Sequence, residues 1–167
     1  MRVLRGLAIL ALLAAVAFVA AWYFGNRSST TPASEITAYY CKIDGTTLEP
    51  YTVTLGSARD RRSVAFYAAT QAVAGPSADV EAVRFPPGTF VQSLDVVNST
   101  AVVSLSKNVE NTGGGSFTES GMFKALVWTL TAIPGISDVQ VKVDNVRIAS
   151  LPGGHLELDQ PLTRSMF

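Results

Sequence analysis

One histidine and one cysteine among 167 residues exclude most sites that carry chemistry. A zinc site needs three or four His, Cys or carboxylate ligands and a disulfide needs two cysteines, so no metal, cofactor or disulfide framework is expected. Charge of one sign is missing too: 13 basic residues meet 13 acidic ones, and without a basic excess no nucleic-acid partner is expected. No P-loop, Rossmann glycine fingerprint, HExxH, CxxC or GxSxG is present. The glycine runs Gly113-Gly114-Gly115 and Gly153-Gly154 lack the preceding strand and the lysine of a phosphate cradle, and read as linkage and turns. His155 has Glu157 and Asp159 nearby but no distinguished nucleophile, so it reads as a surface or hairpin residue. Hydrolysis of a glycan needs a matched pair of carboxylates, and the scattered acids offer no preferred pair; Asp95, Asp138 and Asp144 fit a solvated sheet face. No catalytic residue is assigned, and the chain is not expected to be an enzyme.

What is present is an apolar segment at the front. Residues 7–24, LAILALLAAVAFVAAWYF, carry no charge and as a helix reach about 27 Å at about 1.5 Å per residue, enough to cross a bilayer. Arg2 and Arg5 precede the segment, which places the N-terminus in the cytoplasm and the rest of the chain outside. The expectation is a signal anchor or transmembrane helix over residues 1–24 in the cell membrane, single-pass, with an extracytoplasmic C-terminal domain. A cleaved signal peptide, with Val19-Ala20-Ala21 near the cut, is the competing reading. Residues 25–34, GNRSSTTPAS, are a polar linker. From Glu35 onward 10 basic residues face 13 acidic ones, a net of −3, so the exported domain, residues 35–167, is mildly acidic.

Within it, β-branched and aromatic residues predict a strand over residues 36–43, ended by Asp44-Gly45, and a second over 51–55. Tyr39, Cys41 and Ile43 share one face by the period of two, which makes Cys41 a small buried hydrophobe. Asp60 caps a helix over residues 62–74 that Gly75-Pro76 ends. After the stiff turn Phe85-Pro86-Pro87-Gly88-Thr89 comes a hairpin, residues 90–96 and 101–106, around Asn98-Ser99. Residues 107–115 read as a mobile loop. Ser116 and Glu119 form the S-x-x-E capping box of a second helix whose apolar stripe is Met122, Phe123, Leu126, Val127, Leu130 and Ile133. Trp128 lies off that stripe. Val139, Val141 and Val143 alternate with polar residues in a half-buried last strand. The class is α+β, a small mixed, largely antiparallel sheet with two helices packed on one face, order ββαββαβ.

The ordered landmarks resemble the GerMN domain, the module named for sporulation and spore-germination proteins. They are Tyr39 or Tyr40 in the first strand, Gly75-Pro76 after the first helix, Pro86, Gly88 and Thr89 in the turn, and Val102-Val103-Ser104-Leu105-Ser106 in the hairpin. Thr129-Leu130-Thr131, Val141-Lys142-Val143-Asp144 and Pro161-Leu162-Thr163-Arg164 complete the set, which spans about residues 35–164. Asn145 stands where the family often has Gly, and Ser104 where it often has Asp. The resemblance implies an extracytoplasmic module of membrane-anchored or lipid-anchored envelope proteins, among them a sporulation protein associated with an intermembrane channel complex, and it implies no established catalytic residues. The motif positions Gly75, Pro76, Pro86, Gly88, Thr89, Thr129, Thr131, Asp144 and Arg164 are then structural. The expected role is assembly through self-association or an envelope protein, aided by exposed sheet edges. The alternative is a module that binds cell-wall glycan on exposed Tyr or Trp faces.

Overall fold

A computed structural model describes residues 35–113 and 115–167. The expected anchor and linker, residues 1–34, lie outside the described residues. The first two strands, β1 (Glu35–Cys41) and β2 (Leu48–Thr54), form an antiparallel pair. Asp44 closes the turn between them, its Oδ1 accepting the Thr46 and Thr47 N–H groups at 2.8 Å each and its Oδ2 the Thr47 hydroxyl at 2.6 Å. Helix α1 (Arg61–Ala74) starts at Asp60, whose Oδ1 accepts the Ser63 N–H, and ends at Gly75, whose φ of 75° is one that side chains other than glycine rarely adopt.

The remaining strands, β3 (Val91–Val97), β4 (Thr100–Leu105) and β5 (Asp138–Val143), make a second sheet in that spatial order. β3 and β4 are an antiparallel hairpin around Asn98-Ser99, with Asn98 in the left-handed region. β4 and β5 are parallel, and helix α2 (Ser116–Thr131) lies in the crossover between them, because parallel neighbours cannot be joined by a tight turn. Class and order are those the sequence predicts, with the strands divided between two sheets. The core joins Leu94, Val103, Leu105, Val139 and Val141 of the sheet to Met122, Phe123, Leu126, Val127 and Leu130 of α2, all buried. Helix α1 contributes mainly alanines, Ala65, Ala68, Ala69 and Ala72, short side chains that keep a helix backbone close to its neighbours.

Several local expectations change. Ile43 is 67% exposed rather than sharing the Cys41 face, because the strand ends at Cys41 and the chain has already entered the Asp44 turn. Tyr39 is half-buried, and Ala38 takes the fully buried position. Residues 107–115 are not structureless throughout: Lys107–Glu110 is a 3-10 turn with Val109 fully buried. Gln140 is buried rather than solvated, since residues 146–162 cover it. Its Nε2 donates to the Leu158 carbonyl at 2.8 Å and its Oε1 accepts from Arg147. Leu162 pairs with Val139 along the outer edge of β5, and Leu151, Leu158 and Leu162 enter the core.

The capping box is also replaced. Gly115 is the N-cap of α2, no side chain caps it, and Ser116 is the first helical residue. Ser116→Ala should therefore change stability by less than about 0.5 kcal/mol, as for an ordinary surface substitution, rather than the roughly 1 kcal/mol of a lost cap; urea unfolding measures the difference.

Gly121 marks where α2 meets β1. A Cβ there would lie 3.1 Å from both Val83 methyls and 3.3 Å from Cys41 Sγ. Overpacking of this kind costs about 1–3 kcal/mol, against about 1 kcal/mol of helix propensity that alanine returns. Gly121→Ala should lower the Tm, and a raised Tm would mean that Val83 and Cys41 give way to the added methyl. Burial raises the pKa of the Cys41 thiol, as befits a packing residue.

Acid should loosen both carboxylate-closed ends. The Thr47 hydroxyl and the Thr46 and Thr47 N–H groups hold Asp44 below the ordinary carboxylate range, and the Ser63 hydroxyl and N–H do the same for Asp60. Groups with lowered folded pKa values stabilise above the unfolded value of about 4 and lose that contribution as pH falls through the folded one. The double variant Asp44→Asn, Asp60→Asn should therefore show a flatter fall of Tm on acidification than the parent. Parallel curves would count against this.

Candidate functional site

The landmark residues are distributed through the frame. In the turn at Pro86 the Thr89 N–H donates to the Pro86 carbonyl at 3.0 Å and Gly88 has φ 82°, the type II pattern with Pro87 and Gly88 at its centre. Thr89 Oγ1 is buried with no partner among the described residues. The Pro76 carbonyl accepts from Arg84 Nη1 at 2.8 Å, next to Gly75. Thr129, fully buried, uses Oγ1 to accept the Tyr39 N–H at 2.9 Å, tying α2 to β1. Thr131 donates to the Val127 carbonyl and accepts from Arg164 Nε at 2.7 Å. The Arg164 guanidinium stands 5.4 Å from the centre of the Trp128 ring, a cation–π distance.

Asp144 and Asn145 form a two-residue turn with φ 47° and 64°, the Val143 and Val146 backbones bonding across it. Both central residues at positive φ define the I′ hairpin turn, which Asn tolerates in place of Gly. Ser104, where the family often has Asp, accepts the Asn145 N–H on Oγ at 2.8 Å and donates to Gln92 Oε1, while Gln92 Nε2 donates to Asp144 at 2.6 Å. A hydroxyl thus closes the network that holds this turn. Asp95 is exposed and paired with Arg62 at 2.6 Å, and Asp138 keeps one buried oxygen without a partner among the described residues. These acids are held in separate local settings.

His155 is exposed, and its backbone N–H rather than its ring meets a carboxylate: Glu119 Oε2 accepts from the His155 N–H at 2.7 Å and the Leu156 N–H at 3.3 Å. Among the described residues no group of three or more His, Cys, Asp or Glu could hold a metal ion, and no helix is long and apolar enough to cross a membrane.

Two open grooves flank Tyr67. One of about 640 Å³ is lined by Arg62, Phe66, Gln92 and Ser93. The other, about 600 Å³, runs along β2 between residues 50–54 and a wall made by Tyr67, Gln71, residues 75–77 and Val80. No charged side chain lines this second groove. Tyr51 stands beside Tyr40 at 6.1 Å between ring centres and donates its hydroxyl to the Gln71 carbonyl. Sequence reasoning missed the groove, because residues 75–80 carry no periodicity that would place them opposite β2.

Two helices, two small sheets and the engaged turns define a GerMN-type domain. The family described as sporulation and spore germination, Germane, matches residues 37–149, and the chain belongs to it. Solved structures share the fold. The tandem GerMN domains of the sporulation protein GerM from Bacillus subtilis match with TM-score 0.63 and 21% identity over 80% of this chain and 47% of that one, so the chain spans about half of the tandem pair. The first GerMN domain of GerM alone gives TM-score 0.60 and 22% identity over 78% and 98%. A candidate lipoprotein from Clostridium perfringens gives 0.58 and 22% over 78% and 87%. The comparison with curated proteins gave no match.

Proposed function

We propose that this chain is a single-pass membrane protein, held through residues 7–24, whose extracytoplasmic GerMN domain acts in assembly of envelope proteins during sporulation or germination. The family match over residues 37–149 is the observation that carries this reading. Two further features support it: the motif residues of the domain are engaged in packing and turn geometry, and the candidate lipoprotein of similar fold fits an envelope location. The domain works by surface complementarity, without catalysis, metal or cofactor, and its partner is a second copy or another envelope protein. Proximity cross-linking in cells, paired with a pull-down on purified envelope glycan, tests the reading. Reproducible cross-links to itself or to one envelope protein are expected. Glycan binding that an exposed aromatic-to-alanine change abolishes, with no protein cross-links above background, would replace assembly with cell-wall recognition.

A further inference from the structure

We propose that the outer edge of β2 is the docking site for an extended, uncharged peptide segment of a partner protein, which adds to the β1–β2 pair as a third strand. The inference rests on the assembly reading and names its interface.

Hydrogen-bond parity in an antiparallel pair decides which backbone groups face outward. Lys42 donates to the Thr47 carbonyl, so this pair is hydrogen-bonded, and in the unbroken register 40↔49, 38↔51 and 36↔53 are bonded in turn. The alternate residues face away. On β1 two of these groups are engaged: Tyr39 N–H goes to Thr129 and the Cys41 carbonyl accepts from Val83. On β2 the outward residues are Leu48, Pro50, Thr52 and Thr54, and among the described residues no hydrogen bond occupies the Thr52 or Thr54 N–H. Pro50 stands where its missing N–H breaks nothing in the ladder.

The other sheet edges are partly occupied. Arg62 Nε donates to the Leu94 carbonyl on β3, where the register also breaks between Val91 and Ser93, and Leu162 pairs with Val139 on β5. Among the described residues β2 combines an open edge with a groove that no charged side chain lines. Pro50 to Thr54 of β2 line that groove together with Tyr40 of β1, so the recess reaches from the open β2 edge onto the sheet face that carries Tyr40 and Tyr51. Its occupant therefore needs a row of alternating N–H and C=O groups, which an extended peptide has and a glycan or lipid lacks. The absence of charged lining selects an uncharged segment, since a buried unpaired charge is costly.

The test uses the full chain in detergent and a displayed library of random heptapeptides, with depletion on the Thr52→Pro variant. Thr52→Pro removes an outward donor while leaving the β1 ladder, and Thr54→Glu places a charge at the groove without touching the backbone. Enriched peptides should be uncharged, should bind each variant at least tenfold more weakly than the parent, and should slow amide exchange at Thr52 and Thr54. Equal affinity for parent and Thr54→Glu, charge-rich sequences, or no enrichment over the depleted pool would overturn the proposal. In cells, cross-links that persist in both variants would also overturn it while assembly stands. Absence of cross-links in the parent would instead remove the assembly reading itself.

Discussion

Leu126→Ala and Leu130→Ala should each destabilise the domain by about 2–5 kcal/mol, among the largest effects of any single change. Both side chains are fully buried on α2. They belong to the layer shared by α2, α1 and the three-stranded sheet, where Phe123 also meets Phe85 edge to face at 5.9 Å. Truncation removes apolar contact and leaves a cavity that close-packed neighbours fill only partly. Since a domain of this size is held by about 5–15 kcal/mol in all, either change should lower the urea midpoint sharply, and the pair together should leave little folded protein at 37 °C. A midpoint within error of the parent for either variant would show that the stripe does not face the core.

That stripe was legible in the sequence because a buried helix face repeats at spacings of three and four, and Asp60, Gly75 and Asn98 were legible because capping and left-handed turns demand particular residue types. What escaped depends on partners distant in sequence. The division into two sheets follows from β5 pairing with β4 across a helix, and no local pattern states which strands pair. Gln140 looked solvated because strand alternation gives the direction of a side chain, not what covers it, and residues 146–162 that cover it lack periodicity. At the β2 groove, Pro50 alone hinted at an edge strand. Glu119 was misread because S-x-x-E fits a capping box by spacing alone. The competing signal was present, since Glu119 precedes Met122, Phe123 and Leu126 by three, four and seven residues and so continues the buried stripe.

Glu119 should accordingly behave as a clamp on the C-terminal segment. The residue is 2% exposed, its Oε2 accepts both the His155 and Leu156 N–H groups, and its Oε1 has no partner among the described residues. A Cβ on Gly154 would come impossibly close to that second oxygen, so the Gly-Gly passage gives the carboxylate its space. Glu119→Ala strands two backbone donors and opens a void, at a cost of about 2–4 kcal/mol. Glu119→Gln retains one oxygen to accept both N–H groups, while its amide nitrogen replaces an oxygen that already lacked a partner among the described residues. The glutamine variant should therefore stay within about 1 kcal/mol of the parent. The alanine variant should lose stability and be cut faster by protease near Gly153, because residues 151–156 are released first. If alanine and glutamine are equally stable and equally resistant, the segment is held by Leu151 and Leu158 alone and the carboxylate is not its clamp.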